Sequence, residues 1–472
     1  MNLQNKLDSQ YLRKNKDKFK KVFFYRICGT GMGAAACLLK EAGFEVEGAD
    51  NNFYPPMSTY LETTKIPCHK ISDVSQDFLK KFDLIVVGNV VPRLSDDARN
   101  IEESGVPFVS FPAALGALVL SDVNVIGIAG THGKTTTTYF MAQVFKNLGE
   151  DPGYFIGGVL DGLPSAKLGN GKHFFIESDE YDSAYFEKIS KFRLYEINHL
   201  VLTSLEFDHA DIFNDIEDIK NEFREGMPKM NGTFFLSNEY QAIKELDKEL
   251  LSKKENKYFY GEDTKIGPNI IEMNEKGSTF EVRGEKFVTN IIGKHNILNL
   301  TTVILYALES GYSSEKINDS IKNLKLVKRR QEVRGTYKGH TVIDDFAHHP
   351  RAVELTIDGI KKKYPKNEIL VIIEPCSATA RSNIFQKEFA NSLKLADKVI
   401  LAKPQRPTSV KGANDLDCDW ISKQLENSTV AINLDELREQ LDKMIQDDDL
   451  ILVLSNGTCL GLWESNFVKE LK

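Results

Sequence analysis

Short apolar runs of strand length alternate along this chain with longer stretches in which apolar residues recur at helical spacing. Val22 to Ile27 reads as a strand, Cys28 to Gly33 as a glycine turn and Ala34 to Ala42 as a helix. Phe44 to Gly48, ending near Asp50, and Asp83 to Gly88 continue the alternation. A second block opens on the run Val123 to Ala129, which passes through another glycine loop into a threonine-rich helix start. Strand patterns His173 to Ile176 and Leu200 to Leu205 each run into acidic residues, and a helix spans roughly Ile297 to Glu309. In a third block Thr341 to Ile343, Ile369 to Ile373, Lys398 to Leu401 and Leu450 to Leu454 are strands separated by helical segments. Such alternation predicts an α/β protein of parallel sheets with helices on their faces.

Composition narrows the class. At 472 residues the chain has room for about two to four domains. Hydrophobic residues at 41% and charged residues at 27% exclude disorder, collagen-like repeats and low complexity as the main architecture. The net charge of −8 argues against nucleic acid as a partner, because phosphate-backbone binding relies on Lys and Arg. No run of about 18 uncharged apolar residues is present, so no membrane partner is expected. Residues 1–21 are rich in Lys and Arg but lack an apolar core, so they are expected to be a solvated basic tail and not a secretory signal. The six cysteines stand at least nine residues apart, without a Cys-x-x-Cys pair, and read as free thiols of a cytoplasmic protein.

Two glycine loops carry the candidate chemistry. Gly29-Thr30-Gly31-Met32-Gly33-Ala34 fits the pattern G-x-G-x-x-G/A between strand and helix, with Asp50 21 residues after Gly29. Glycines there let backbone approach a pyrophosphate at a helix N-terminus, and a carboxylate at that distance reaches a ribose hydroxyl. The pattern leaves an NAD-dependent oxidoreductase open beside a UDP-sugar site, with a tight turn that binds nothing as the plain alternative. Gly130-Thr131-His132-Gly133-Lys134-Thr135-Thr136-Thr137 also follows a strand and opens a helix. Its backbone amides would cradle phosphates, Lys134 would reach the β- and γ-phosphates, and the Thr135 hydroxyl would ligate Mg²⁺. The strict P-loop pattern wants glycine where Ile128 stands, and Gly127 is one place off. A dehydrogenase has no use for a triphosphate site, so the second loop outweighs the first.

Acidic strand ends supply candidate metal ligands. Glu177 closes one strand, within Glu177-Ser178-Asp179-Glu180-Tyr181-Asp182, and Glu206-Phe207-Asp208-His209-Ala210-Asp211 closes the next. Mg²⁺ needs only one or two carboxylates beside phosphates. The alternative is loop acids facing solvent, with Asp208 capping a following helix. By spacing alone, His295-Asn296 with Asn299 reads as a helix start and a core amide. Lys328-Arg329-Arg330 is a boundary charge run, either a solvated linker or a phosphate clamp. Asp344-Asp345-Phe346-Ala347-His348-His349-Pro350 ends a strand in a combination unusual for a plain loop. These acidic and histidine clusters speak against a module that binds nucleotide without turnover.

Taken in order, the motifs resemble the Mur ligase family, the ATP-dependent amide-forming enzymes of peptidoglycan metabolism, over essentially everything after residue 21. Tyr54-Pro55-Pro56-Met57-Ser58-Thr59, Asp179 to Phe186, Glu206 to Phe213 and Ser455-Asn456-Gly457 resemble signatures of its peptidoglycan-recycling branch. The resemblance implies three domains: a Rossmann-like UDP-sugar domain over 22–121, a P-loop ATPase domain over 122–328 and a Rossmann-like peptide domain over 329–472. It implies a reaction joining UDP-N-acetylmuramate to L-alanyl-γ-D-glutamyl-meso-diaminopimelate through an acyl phosphate, with ATP and Mg²⁺ as cofactors. Addition of L-alanine to the same sugar is the alternative within the family. A monomer or weak homo-oligomer is expected.

The resemblance also distributes roles. It gives Gly29, Thr30, Gly31, Met32, Gly33, Asp50 and Ser58 to the UDP-sugar. It gives Gly130, Thr131, His132, Gly133, Lys134, Thr135, Thr136, Asn296, Asn299 and Arg330 to ATP. Thr135, Glu177 and His209 go to the metal, and Lys134, Arg330, Asp345 and His348 to catalysis. Ser377, Thr379, Arg381, Ser455 and Asn456 go to the incoming peptide. One segment departs: the recycling branch tends to have Glu-Pro-Arg-Ser-Asn-Thr where this chain reads Glu374-Pro375-Cys376-Ser377-Ala378-Thr379, so altered peptide contacts are expected there. Some family members carry a carbamylated lysine between two metals; no motif marks Lys220, 11 residues after His209, as that residue.

Overall fold

The apolar runs form strands that are buried on both faces, as parallel sheets between helices require. A computed structural model describes residues 2–55, 57–158, 160 and 163–472. Strands β1 (Lys21–Tyr25), β2 (Glu45–Asp50), β3 (Cys68–Lys70), β4 (Leu84–Val87) and β5 (Phe108–Ser110) make a parallel sheet in the order β3-β2-β1-β4-β5. Next come β6 (Asn124–Ala129), β7 (Gly153–Phe155), β8 (Ala166–Lys167), β9 (His173–Glu177) and the hairpin β10 (Asp182–Ala184) and β11 (Glu187–Ser190). β12 (His199–Leu202), β13 (Phe234–Ser237) and β14 (Lys257–Tyr260) complete a sheet ordered β14-β13-β12-β6-β9-β7-β8, parallel except for the β7-β8 pair. By compactness, Met1–Glu206, Glu217–Ile266 and Leu305–Ser320 form one unit with these sheets.

The second unit is Phe207–Ile216, Gly267–Ile304 and Ile321–Lys472. It holds the antiparallel β15 (Asn269–Asn274), β16 (Gly277–Val282) and β17 (Glu285–Thr289). Its larger sheet comprises β18 (Glu332–Tyr337), β19 (His340–Asp345), β20 (Glu368–Glu374), β21 (Lys398–Ala402), β22 (Ser428–Ala431) and β23 (Asp449–Ser455). The order is β18-β19-β23-β20-β21-β22, with only β18 antiparallel. The period-2 alternation of β20 sends Ile369, Val371 and Ile373 to a core with Val353, Ile357 and Ile360, and Leu370 and Ile372 to one with Leu437 and Leu441.

Several expectations change. Of the expected solvated tail over residues 1–21, the described residues 2–21 are held against the fold. The Leu7 amide donates to the Phe108 carbonyl at 3.0 Å and the Phe108 amide to the Asn5 carbonyl at 3.1 Å, so the segment covers the open edge of β5. Asp8 caps the helix Ser9–Lys14, whose Leu12 is fully buried; lysines on either side masked that apolar anchor. The glycine turn is shorter than its pattern suggests, because the helix Thr30–Glu41 already contains Gly31 and Gly33. A Cβ on Gly33 would lie 2.2 Å from Met57 Sδ, so that glycine serves close helix packing. Asp208 caps no helix: its Oδ1 accepts from the next amide, His209, at 2.7 Å, and the following helix starts only at Ile216. Segments 207–216 and 267–304 cluster with the C-terminal sheet although they lie within the central block of the sequence.

Gly116, in the helix Phe111–Leu118, makes a close contact with backbone. A Cβ there would sit 1.9 Å from the Leu194 carbonyl oxygen. Gly116→Ala is therefore expected to destabilise the chain by about 1–3 kcal/mol, read as a lowered unfolding temperature.

Candidate functional site

Asp50, at the end of β2, braces the first glycine loop. Its Oδ2 accepts the Cys28 amide at 2.8 Å, its Oδ1 accepts the Asn51 amide at 2.8 Å, and Arg26 stands 3.6 Å away. Both oxygens are thus engaged within the fold, where a ribose contact was expected. Thr30, Gly31, Met32 and Gly33 form the first turn of the helix after Gly29. Ser58 lies in the helix Met57–Thr63 and donates its amide to the Tyr54 carbonyl; Pro56 of that motif lies outside the described residues.

The second loop has the backbone of a phosphate cradle. Gly130 and Gly133 adopt φ of 132° and 85°, which side chains disfavour, and the helix Lys134–Asn147 starts directly after them. The loop is fastened to the end of β12. The His132 amide donates to Ser204 Oγ at 2.7 Å, Thr203 Oγ1 donates to the His132 carbonyl at 2.5 Å, and Thr131 Oγ1 accepts the Glu206 amide at 2.9 Å. Thr136 is buried in the first helical turn. Gly127 belongs to the sheet instead: a Cβ there would meet Ile197 Cδ1 at 2.4 Å.

Around Lys134 lies a dense set of charges. Its Nζ donates to the Gly130 carbonyl at 2.5 Å and sits 3.4 Å from Glu180 and 3.8 Å from Asp179. Burial draws the Lys134 pKa down, but Glu180, Asp179 and Glu177 together carry it above its ordinary value. Thr135 Oγ1 donates to Glu177 Oε2 at 3.0 Å, and the Gly157 amide donates to Glu177 Oε1 at 2.5 Å. Burial and then the Asp179 charge push Glu177 up to about 7, against those two bonds and Lys134. A buried carboxylate so short of positive charge, beside a hydroxyl oxygen, fits a hard divalent cation.

In the second unit, Arg329 and Arg330 lie over the Phe346 ring at 5.4 and 5.0 Å. Arg329 also donates to the Ser455 and Gly457 carbonyls at 2.6 and 2.8 Å. Asp345 accepts the Gln331 and Ala347 amides, each at 2.8 Å; burial raises its pKa, with Arg330 the main opposing charge. Neighbouring Asp344 is fully buried and pushed up to about 6 by that burial, although Arg329 and Arg334 oppose it. His348 Nδ1 lies 2.9 Å from the Phe346 carbonyl, which requires a proton on Nδ1, so that in the neutral imidazole Nε2 carries the lone pair. His349 Nδ1 instead accepts the Arg351 amide and caps the helix Pro350–Lys363.

His209 sits in left-handed backbone at φ 54°. Burial raises the Asp208 carboxyl, but the neighbouring histidines, His209 first, and the hydrogen bond from the His209 amide overcome it and hold the group low. Asn296 and Asn299 are buried in the helix Lys294–Glu309, and Asn296 Nδ2 donates to the Ile292 carbonyl at 2.9 Å. Lys220 pairs with Glu217 at 2.6 Å and Glu245 at 2.8 Å. Those carboxylates outweigh burial and raise its pKa, which opposes the neutral amine that carbamylation needs.

A cavity of about 580 Å³ in the second unit is lined by Glu374, Cys376, Arg381, Gln405, Arg406 and Asn433 among others. Arg381 alone of the five expected peptide contacts is among its lining residues. Ser455 is fully buried, bonded to Glu374 Oε2 at 3.0 Å and to the Gly457 amide at 2.9 Å. Thr379, 2% exposed, accepts the Ala210 amide, Asn456 accepts the Cys376 amide, and Ser377 Oγ accepts the Ala380 amide. These four hold the strand-end loops in place. Arg381 Nε is buried and has no hydrogen-bond partner among the described residues. Arg406 was overlooked in the sequence, although Pro404-Gln405-Arg406-Pro407 follows a strand end, where parallel sheets bind ligands.

Three family models match the chain: "Mur ligase family, catalytic domain" over residues 21–122, "Mur ligase middle domain" over 128–307 and "Mur ligase, glutamate ligase domain" over 329–457. The UDP-N-acetylmuramate–L-alanyl-γ-D-glutamyl-meso-2,6-diaminoheptandioate ligase of Haemophilus influenzae is 32% identical over 458 residues, covering 94% of this chain and 97% of that protein. The UDP-N-acetylmuramate–L-alanine ligase of Lactococcus lactis subsp. cremoris is 32% identical over 437 residues, covering 90% and 92%. A crystal structure of a murein peptide ligase from Psychrobacter arcticus superposes with a TM-score of 0.67 at 28% identity, covering 94% of this chain and 97% of that one. No helix among the described residues is long and apolar enough to cross a membrane.

Proposed function

Because this chain belongs to the Mur ligase family of ATP-dependent amide-forming enzymes, we propose that it joins UDP-N-acetylmuramate to L-alanyl-γ-D-glutamyl-meso-diaminopimelate. The observation that carries a peptide in preference to a single amino acid is the cavity beside Arg381 and Arg406. At about 580 Å³ it falls in the range of roughly 300–1,000 Å³ typical of small-molecule sites and far exceeds the needs of alanine. Two guanidiniums, one with an unpartnered buried Nε, suit the extra carboxylates of the tripeptide.

In this reading, domains 22–121, 122–328 and 329–472 bring the sugar, ATP and the peptide. The sugar's carboxylate oxygen attacks the γ-phosphorus, ADP leaves, and the peptide amine then displaces phosphate from the acyl carbon. Lys134 holds the β- and γ-phosphate oxygens, and Arg330 offsets the charge that gathers on the transferring group. Thr135, Glu177 and His209 would hold Mg²⁺, which neutralises phosphate charge when bound. His348 Nε2 takes the amine's proton, with the imidazole fixed in tautomer by the Phe346 carbonyl. Asp345 acts through backbone, locking the Gln331 and Ala347 amides so that Arg330 and His348 keep their places.

The peptide assignment is tested at Arg381. Arg381→Gln is expected to raise the KM for tripeptide by roughly tenfold or more while leaving the KM for ATP unchanged. An unchanged tripeptide KM would remove the cavity from the reading.

A further inference from the structure

Lys191 is a second buried ammonium beside the phosphate loop, and the reaction as described does not use it. Its Nζ lies 3.0 Å from Asp179 Oδ2, while Lys134 Nζ lies 3.8 Å from Oδ1 of the same carboxylate and 3.4 Å from Glu180. The Lys191 Nζ stands 3.9 Å from the Tyr181 ring centroid and 5.6 Å from that of Phe111, whose ring lies against Gly31 of the first glycine loop. It thus stands between the two loops.

Backbone holds the residue there. The Lys191 amide donates to the Tyr181 carbonyl and the Phe192 amide to the Asp179 carbonyl, each at 3.3 Å. The β10–β11 hairpin that leads into it is fastened to the end of β5 by Ser110 to Glu187 at 2.5 Å and to the helix Asp96–Glu103 by Tyr185 to Glu102 at 3.1 Å.

The charges explain what this arrangement does. With both lysines present, two ammonium groups balance Asp179 and Glu180. Without Lys191, Lys134 alone would face both carboxylates, and surplus negative charge would lie where a triphosphate must enter, in a site poorly screened by water. We infer that Lys191 is a positioning residue for the nucleotide: it retains Asp179, so that Lys134 can leave that carboxylate for the incoming phosphates. The inference rests on Lys134 being the phosphate lysine.

The test is titration of the whole chain with Mg²⁺ and a non-hydrolysable ATP analogue, without sugar or peptide. Lys191→Met is expected to weaken binding by on the order of tenfold or more, and in turnover to raise the KM for ATP more than it lowers kcat. Lys191→Arg should bind near the wild-type level. Adding Asp179→Asn to Lys191→Met should restore affinity, because it removes the surplus charge; a lysine needed only for folding would not be rescued in this way. Wild-type affinity in Lys191→Met, or no rescue in a folded double variant, overturns the inference. Should Lys191→Met not fold, Asp179→Asn alone decides: tighter binding supports the inference, and unchanged or weaker binding overturns it. Lys134→Ala separates the two levels, since wild-type nucleotide binding there would instead remove the reading of the loop.

Discussion

Lys134→Ala is expected to cut ATP-dependent ligation by roughly a thousandfold or more while UDP-sugar binding survives. The ammonium belongs to the first residue of the helix that follows a cradle whose two glycines take up left-handed backbone. It already donates to the Gly130 carbonyl, so it lies along the path the phosphates would follow. Phosphoryl transfer is mostly positioning and charge stabilisation, and an alanine supplies neither. The sugar site proposed on β1, β2 and the helix after Gly29 does not depend on that side chain. Rates of phosphate release and a UDP-sugar titration on the same preparation check both halves. Near-normal turnover would sink the P-loop assignment.

Glu177→Gln is expected to separate activity from stability. As a proposed Mg²⁺ ligand, its loss should lower turnover by at least about a hundredfold. The same substitution should stabilise the protein free of nucleotide and metal. Glu177 is raised from an ordinary 4.5 to about 7, so the folded state holds its proton more tightly than the unfolded chain does. That contribution is fully present below pH 4.5 and is lost as pH rises through 7, a change of roughly 3 kcal/mol for a shift of this size. The glutamine does not titrate, so at about pH 8 the variant should unfold at higher denaturant than the wild type. The two should converge in acid. Added Mg²⁺ should stabilise the wild type and leave the variant unmoved.

What was legible in the sequence was local. Runs such as Ile369 to Ile373 must be buried on both faces, and the turn from Gly130 to Thr135 needs glycines at fixed places, so the main strands and the phosphate loop could be read directly. Contacts distant along the chain could not. Nothing local shows that Asn5 and Leu7 pair with Phe108 on the edge of β5, or that Ala210 donates to Thr379. The strand β15 escaped notice because exposed polar residues interrupt it over Asn269–Asn274, whereas β13 is buried throughout but only four residues long. Site residues carry contacts of a related kind: Asp50 accepts the Cys28 and Asn51 amides, and Ser455 is bonded to Glu374 and to the Gly457 amide, none of which is visible locally in the sequence. Lys191 and Arg406 gave no motif, only placement at strand ends or beside a buried acid.

The most direct measurement of the central claim is product formation from purified protein, UDP-N-acetylmuramate, ATP and Mg²⁺, offered either L-alanine or L-alanyl-γ-D-glutamyl-meso-diaminopimelate. The prediction is one phosphate released per UDP-N-acetylmuramyl-tripeptide formed, with little turnover of L-alanine. Efficient turnover with L-alanine and none with the tripeptide would contradict it.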